Sequence, residues 1–324
     1  MQAMLNRWWV YQQERFPVIK NGLLIAIFSL SAVCYSVLLR ERIFDPLLAQ
    51  RSRPIWELEG FSLWQTVGSG VIAFLVVFLF FLQLRIADEF KDYEDDFRYR
   101  PYRPVPRGLV TLKELGRLAI AAAAIQLGLT IAVDPRLVLM LALVWGYMTL
   151  MTYEFFVPGW LKSHPPIYLI SHMVIMPLIA LYATACDWIN GSWFAPPGVL
   201  WFLVVSFLGG IMLEIGRKIR APKDEEKGVE TYTALWGRQK AVMIWLGILW
   251  LLTLSTVIAA MHVRFTIPVI LLMLLLLTIA VFVAWRFMVR PTTQSAKWVE
   301  QVSGVWSLVV YLSLGLLPLI LRNV

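Results

Sequence analysis

The chain reads as an all-α integral membrane bundle of nine transmembrane helices, and three features of its sequence say so. Hydrophobic residues fill 59% of its 324 positions and charged residues only 15%, which places it in the membrane class before any motif is consulted. Uncharged stretches of about the length needed to cross roughly 30 Å of hydrocarbon recur along the whole chain. Between them the charges are bunched, and two of the bunches are rich in acids and bases together.

In order, the stretches are 21–39, 60–84, 118–133, 137–153, 165–186, 188–213, 241–261, 265–285 and 301–321. The first follows Arg7, Arg15 and Lys20 and shows no small-residue cleavage site, so it reads as a retained helix and not as a signal peptide. The second runs straight into the first charged segment. Only Asp134, Pro135 and Arg136 separate the short third and fourth stretches, which predicts a tight helical hairpin with proline at the start of its second helix. The fifth carries His172 and a predicted kink at Pro177. The sixth opens as a loop from Trp188 to Pro197, with its helix proper starting near Gly198. The last three complete the bundle, and residues 1–324 read as one domain.

With the N-terminus in the cytoplasm, 22 of the 29 Lys and Arg fall on the cytoplasmic side, so the predicted orientation is N-terminus in and C-terminus out. Both charged segments then face the cytoplasm. They follow the second and sixth stretches, equivalent places in two successive four-helix units, an arrangement that transporters with repeated halves also use. The net charge of +8 therefore reports topology and not nucleic acid. Cys34 and Cys186 each sit within an apolar run, without metal-ligand spacing or a disulfide partner, and read as packing.

The first charged segment, Arg85 to Val110, reads RIADEFKDYEDDFRYRPYRPVPRGLV. Asp88, Asp92 and Asp96 fall at i, i+4 and i+8, so a helix continuing through them carries all three on one face. Carboxylates stacked that way repel, and the available compensation is Mg²⁺ or the arginines Arg98, Arg100, Arg103 and Arg107. A solvated loop is the plain alternative, but three in-phase aspartates followed by a proline-locked arginine run argue for a site. The second segment runs from Glu214 to Arg238. Glu214 to Lys218 is one helical turn, Ala221 and Pro222 should break it, and Asp224, Glu225 and Glu226 suit the first turn of another helix.

On these residues the chain resembles the UbiA superfamily of intramembrane prenyltransferases, over essentially its whole length. That family's first motif, N-D-x-x-D-x-x-x-D, is matched by Asp88, Glu89, Asp92 and Asp96, with Asp in place of Asn and Glu in place of the first Asp. Arg85, three residues ahead, and the R-P-x-P-x-G element from Arg103 to Gly108 fit as well. The second motif, D-x-x-x-D followed by G-x-x-T and a later Gly, is matched by Asp224, Gly228, Thr231 and Gly237. Upstream, where another aspartate is expected, stands Arg220, or Lys218 if Ala221 and Pro222 are an insertion, with Glu214 one turn earlier.

The resemblance implies a nine-helix bundle with two cytoplasmic Asp-rich loops, and Mg²⁺-dependent transfer of an isoprenoid chain from a prenyl diphosphate to an acceptor within the membrane. It implies Asp88, Glu89, Asp92, Asp96, Glu214 and Asp224 as metal ligands. Arg85, Arg100, Arg103, Arg107, Lys162, Lys218 and Lys223 are the implied diphosphate contacts, because an allylic cation forms only if the departing diphosphate is held by metal and cationic donors. The implied partners are the donor, an acceptor of aromatic or lipid type and membrane lipid, with no nucleic acid. A terpene cyclase on the same scaffold would use the same donor. A cation- or lipid-handling transporter would have no need of the R-P-V-P-R-G element.

Three more groups are candidates for the chemistry. Tyr153 and Glu154 end the fourth stretch, and Tyr153 with Lys162 matches a loose family pattern of tyrosine followed by a base. An acid near hydrocarbon costs about 2.5 to 3.5 kcal/mol on insertion scales, so Glu154 should face the interior unless it lies in interfacial water. His172 is either a satisfied core histidine or a group that partners Glu154 and shapes the acceptor pocket. Among the aromatics, Trp8, Trp9, Trp56, Trp64, Trp188 and Trp193 flank stretches like an interfacial belt, while Trp145, Trp201 and Trp250 lie deeper.

Overall fold

The computed structural model describes residues 2–44 and 63–321, and every regular element among them is a helix. In chain order these are α1 (Gln2–Arg15), α2 (Val18–Phe44), α3 (Leu63–Lys91), α4 (Tyr93–Tyr99), α5 (Leu112–Val133), α6 (Leu137–Thr152), α7 (Pro158–Ser163), α8 (Pro165–Met173), α9 (Ile175–Trp188), α10 (Val199–Arg217), α11 (Tyr232–Trp236), α12 (Arg238–His262), α13 (Thr266–Val289), α14 (Thr293–Leu314) and α15 (Leu316–Leu321). Counting α8 with α9 and α14 with α15, eight helices among the described residues are long and apolar enough to cross a membrane, and α6 is a shorter apolar ninth. Trp56 lies outside the described residues.

The helix ends follow local chemistry. Thr111 accepts from the Glu114 backbone while the Glu114 carboxylate receives the Thr111 N–H, and this capping box starts α5 well before its uncharged stretch. Thr292 and Ser295 start α14 in the same way. Pro177 has no N–H to give the Met173 carbonyl, and the fifth stretch breaks between α8 and α9. Pro318 stands in the same relation to Leu314, and the break between α14 and α15 falls at Gly315. Gly198, at φ 103°, caps α10 where the sequence placed its start.

Inside the bundle, several polar groups are satisfied across helices, since hydrocarbon offers them no other partner. Gln126 donates to the Val76 carbonyl at 3.0 Å and receives the Trp145 indole at 3.1 Å. Tyr35 reaches the carbonyls of Gly198 and Ala259, and Asp187 takes Ser36 at 2.6 Å and both arms of Arg40. At Gly315 a Cβ would stand 2.3 Å from the Ser31 backbone, so only glycine lets α2 and the α14–α15 break approach this closely. Two aromatic expectations change. Trp188 is buried in the core, where long apolar neighbours cover it, and Trp250 turns outward at 56% exposure.

The end of α6 is unusual. Glu154, Phe155 and Phe156 have φ of 47°, 53° and 62°, three successive left-handed residues without a glycine, where each Cβ crowds its carbonyl at about 1–2 kcal/mol. Such strain persists only where surrounding packing holds it, and here it buries Glu154.

Candidate active site

α3 carries Asp88 and Glu89 in its last turn, and the helical register survives the junction with α4, because Asp92 N–H donates to Asp88 and Asp96 N–H to Asp92 at 2.9 and 2.8 Å. The acids are in phase, as their spacing predicts, but burial divides them. Asp96 is buried and ringed by Arg103 at 2.6 Å, Arg100 at 2.9 Å and Arg15 at 3.7 Å. Glu89 is buried between Arg15 at 2.5 Å and Arg85 at 3.0 Å. Asp88 is half-buried, with Arg85 only at 3.7 Å, and the Asp92 side chain enters no ion pair or hydrogen bond among the described residues. Burial pushes Asp92 above the usual carboxylate range; Lys91 pulls it down, and Asp88 and Asp96 add to the rise.

Arg15 comes from α1, an element the sequence reading took only as flanking charge. Arg7 to Glu114 at 2.5 Å and Glu14 to Arg107 at 2.8 Å tie that helix to the same region. Arg107, expected on the diphosphate, is thus paired with Glu14, as Arg100 and Arg103 are with Asp96.

At the second segment Glu214 accepts from Arg217 at 2.6 Å and pairs with Lys218 at 3.0 Å, while Lys218 lies over the Tyr232 ring at 5.6 Å. The chain breaks after α10, as Ala221 and Pro222 predict, into a single 3₁₀ turn at Pro222–Asp224. Asp224 accepts from Thr293 at the start of α14, and Glu225 accepts from Thr231 and Thr233, each at 2.6 Å, so these acids hold the segment's own shape. Lys223 is exposed. The two segments meet: Tyr102 donates to Glu226 at 3.1 Å, and Tyr99 packs on Gly228 so closely that a Cβ there would stand 2.6 Å from the ring. Across this junction, Asp88 comes within electrostatic reach of Glu214 and Arg217.

A third element completes the cluster. Lys91 donates to the Tyr168 hydroxyl at 2.7 Å and lies over its ring, and that ring stacks on His172 at 3.9 Å and 12°. His172 Nδ1 donates to the Tyr168 carbonyl at 2.9 Å, and Phe155 meets the imidazole edge-on. Tyr168 is within electrostatic reach of Glu154 and Asp92. Glu154 and His172 are therefore gathered around Tyr168, while the rings against His172 are those of Phe155 and Tyr168. Tyr153 points away, 61% exposed and stacked on Phe156, and Lys162 is exposed, 3.8 Å from Asp95. Sequence reasoning missed Lys91 and Tyr168. A base set between Asp88 and Asp92 was the available signal for the first, and nothing local marked the second.

No three carboxylate, histidine or cysteine side chains converge on a metal-sized point among the described residues. Mg²⁺ does not need such a cage, since it keeps waters and takes one or two carboxylates plus substrate phosphates. Asp88 and Asp92 fit that donor set. Glu89 and Asp96, whose oxygens face arginines, fit it poorly.

The fold is similar to solved membrane proteins. It matches digeranylgeranylglyceryl phosphate synthase with a TM-score of 0.61 at 15% identity, over 98% of this chain and 99% of that one. It matches the apo structure of a UbiA homologue from Aeropyrum pernix K1 with a TM-score of 0.62 at 14% identity, over 88% and 97%. A UbiA homologue from Archaeoglobus fulgidus gives 0.52 at 12% identity, over 90% and 94%. No curated protein sequence matches the chain. The sequence profile of the UbiA prenyltransferase family matches residues 48–308, a region that contains both charged segments and Tyr168 and His172. The chain is a multi-pass integral membrane protein and belongs to the UbiA prenyltransferase family.

Proposed function

We propose that the chain transfers an isoprenoid group from a prenyl diphosphate to an acceptor within the membrane, with Mg²⁺. One observation carries this reading: of the four acids that match the first motif, Asp88 and Asp92 are the two that no arginine approaches closer than 3.7 Å, and Asp88 lies within electrostatic reach of Glu214 and Arg217 of the second segment. Asp88 and Asp92 would hold Mg²⁺, with Glu214 beside them. The metal would neutralise charge on the departing diphosphate. Arg85, Arg217 and Lys218 line the same junction and would bind the diphosphate oxygens, with Lys162 and Lys223 at its exposed edge. Glu89 and Asp96 act through their arginines and Asp224 through Thr293, fixing the two segments around the donor. The likeness to a digeranylgeranylglyceryl phosphate synthase supports a lipid-forming reaction. Both segments face the cytoplasm, with the N-terminus inside and the C-terminus outside.

The test is the product spectrum of purified protein given Mg²⁺ and prenyl diphosphates of several lengths, with and without membrane extract. A prenylated product that requires the extract is expected. Cyclic hydrocarbons formed without extract would replace transfer by cyclisation.

A further inference from the structure

His172 is a buried polar group that the metal and diphosphate roles leave unused. It is 6% exposed, and its Nε2 has no hydrogen-bond partner among the described residues. Its tautomer follows from its contacts: a carbonyl only accepts, so the Tyr168 carbonyl places the hydrogen on Nδ1 and leaves a lone pair on Nε2. An unsatisfied acceptor inside a membrane protein is costly unless a ligand satisfies it. Its surroundings are those of the reacting centre. Asp88 and Lys91 from α3 and Glu214 from α10 lie within electrostatic reach, and Glu154 is within electrostatic reach of Tyr168.

The ring is also held unusually firmly. Tyr168, one turn before it on α8, stacks flat against it, and Lys91 fixes the far end of that tyrosine through the hydroxyl. Phe155, from the left-handed turn after α6, closes another side. Three elements thus set the orientation of one imidazole whose free nitrogen has nothing in the protein to bind.

We infer that His172 Nε2 receives the proton of the acceptor, that Lys91 and Tyr168 are positioning residues for it, and that the acceptor reacts through a hydroxyl group. This rests on the transferase reading. As the bond from the prenyl C1 to the acceptor oxygen forms, the C1–O bond to diphosphate breaks and its electron pair leaves with the diphosphate. The acceptor O–H proton passes to Nε2, and the imidazolium later releases it to water. An alkylamine, cationic near neutrality, would approach Lys91 against like charge, whereas a neutral hydroxyl would not.

The experiment uses labelled geranylgeranyl diphosphate, Mg²⁺ and membrane extract, either native or with its hydroxyls acetylated. Wild-type protein should label the native extract and fail on the acetylated one. His172→Phe should lower transfer by about a hundredfold or more, the range of general-base catalysis, while donor KM stays within about twofold and free prenyl alcohol still forms. His172→Gln, which keeps an acceptor atom but takes no proton, should lose the acid-side limb of the pH profile. Tyr168→Phe, which keeps the stacking, and Lys91→Met should each lower kcat with less effect on that limb. Melting temperature in detergent separates these effects from misfolding.

Wild-type transfer in His172→Gln, or equal labelling of acetylated extract, overturns the inference within an active transferase. A wild-type protein that consumes no prenyl diphosphate overturns the transferase reading and this inference with it.

Discussion

Arg15 on α1 lies 2.5 Å from Glu89 on α3, and both side chains are almost wholly buried. A helix outside the membrane-crossing set thereby supplies the countercharge for an acid of the first segment. Breaking a buried pair so that one charge is left alone costs about 3–5 kcal/mol, and here Arg85, still 3.0 Å from Glu89, keeps the loss below that. Arg15→Met should therefore lower the melting temperature in detergent, and Arg15→Met with Glu89→Met should recover part of the loss. A melting temperature unchanged by Arg15→Met would mean that α1 lies loosely on the bundle.

Asp92 and Asp96 are predicted to part company on substitution. Asp92→Ala removes a carboxylate that pairs with nothing, so it should abolish Mg²⁺-dependent turnover and leave melting close to wild type. Asp96→Ala leaves Arg15, Arg100 and Arg103 around a buried void, and it should reduce yield and stability as well as activity. Melting curves and turnover of the two variants, measured side by side, check this.

Mg²⁺ affinity should depend on pH through Asp92. Burial raises its folded pKa above the unfolded value, so the metal-free fold gains from its protonation as pH falls through the raised value, and the metal competes with that proton. The apparent Kd for Mg²⁺, read from metal-induced thermal shifts, should rise as pH is lowered toward the carboxylate range. Asp92→Asn should flatten the dependence.

At the second segment, Lys218→Ala is expected to raise donor KM severalfold, because the ammonium over Tyr232 would contact a diphosphate oxygen as a point charge. Asp224→Ala should instead resemble Thr293→Ala, both loosening the loop at its tie to α14. Steady-state donor kinetics of the three variants decide it. A shifted Mg²⁺ requirement in Asp224→Ala but not in Thr293→Ala would return Asp224 to the metal.

The bundle was legible because hydrocarbon demands long uncharged runs, and the breaks at Pro177 and Gly198 were legible because proline and glycine act through their own backbone. The phase of Asp88, Asp92 and Asp96 was also visible, since helical spacing is local. Which of them arginines cover was not, because Arg15 reaches Asp96 and Glu89 from far away in sequence. Tyr168 was hidden for the same reason: its partner Lys91 lies on another helix, and neither residue stands out in its own stretch. Glu154 and His172 drew notice as polar groups in apolar runs, but the stacking of Tyr168 on His172 came from packing alone.

The strained turn at Glu154–Phe156 stops α6 after 16 residues, a rise of about 24 Å against roughly 30 Å of hydrocarbon. Thinning of the bilayer is one way to meet such a mismatch, at a fraction of a kcal/mol per Å. Thinning would draw lipid headgroups and their water down beside α6 toward Glu154. An amphiphile arriving sideways from the leaflet would then meet a lowered sill there, over which a polar head could slide without first leaving the interface.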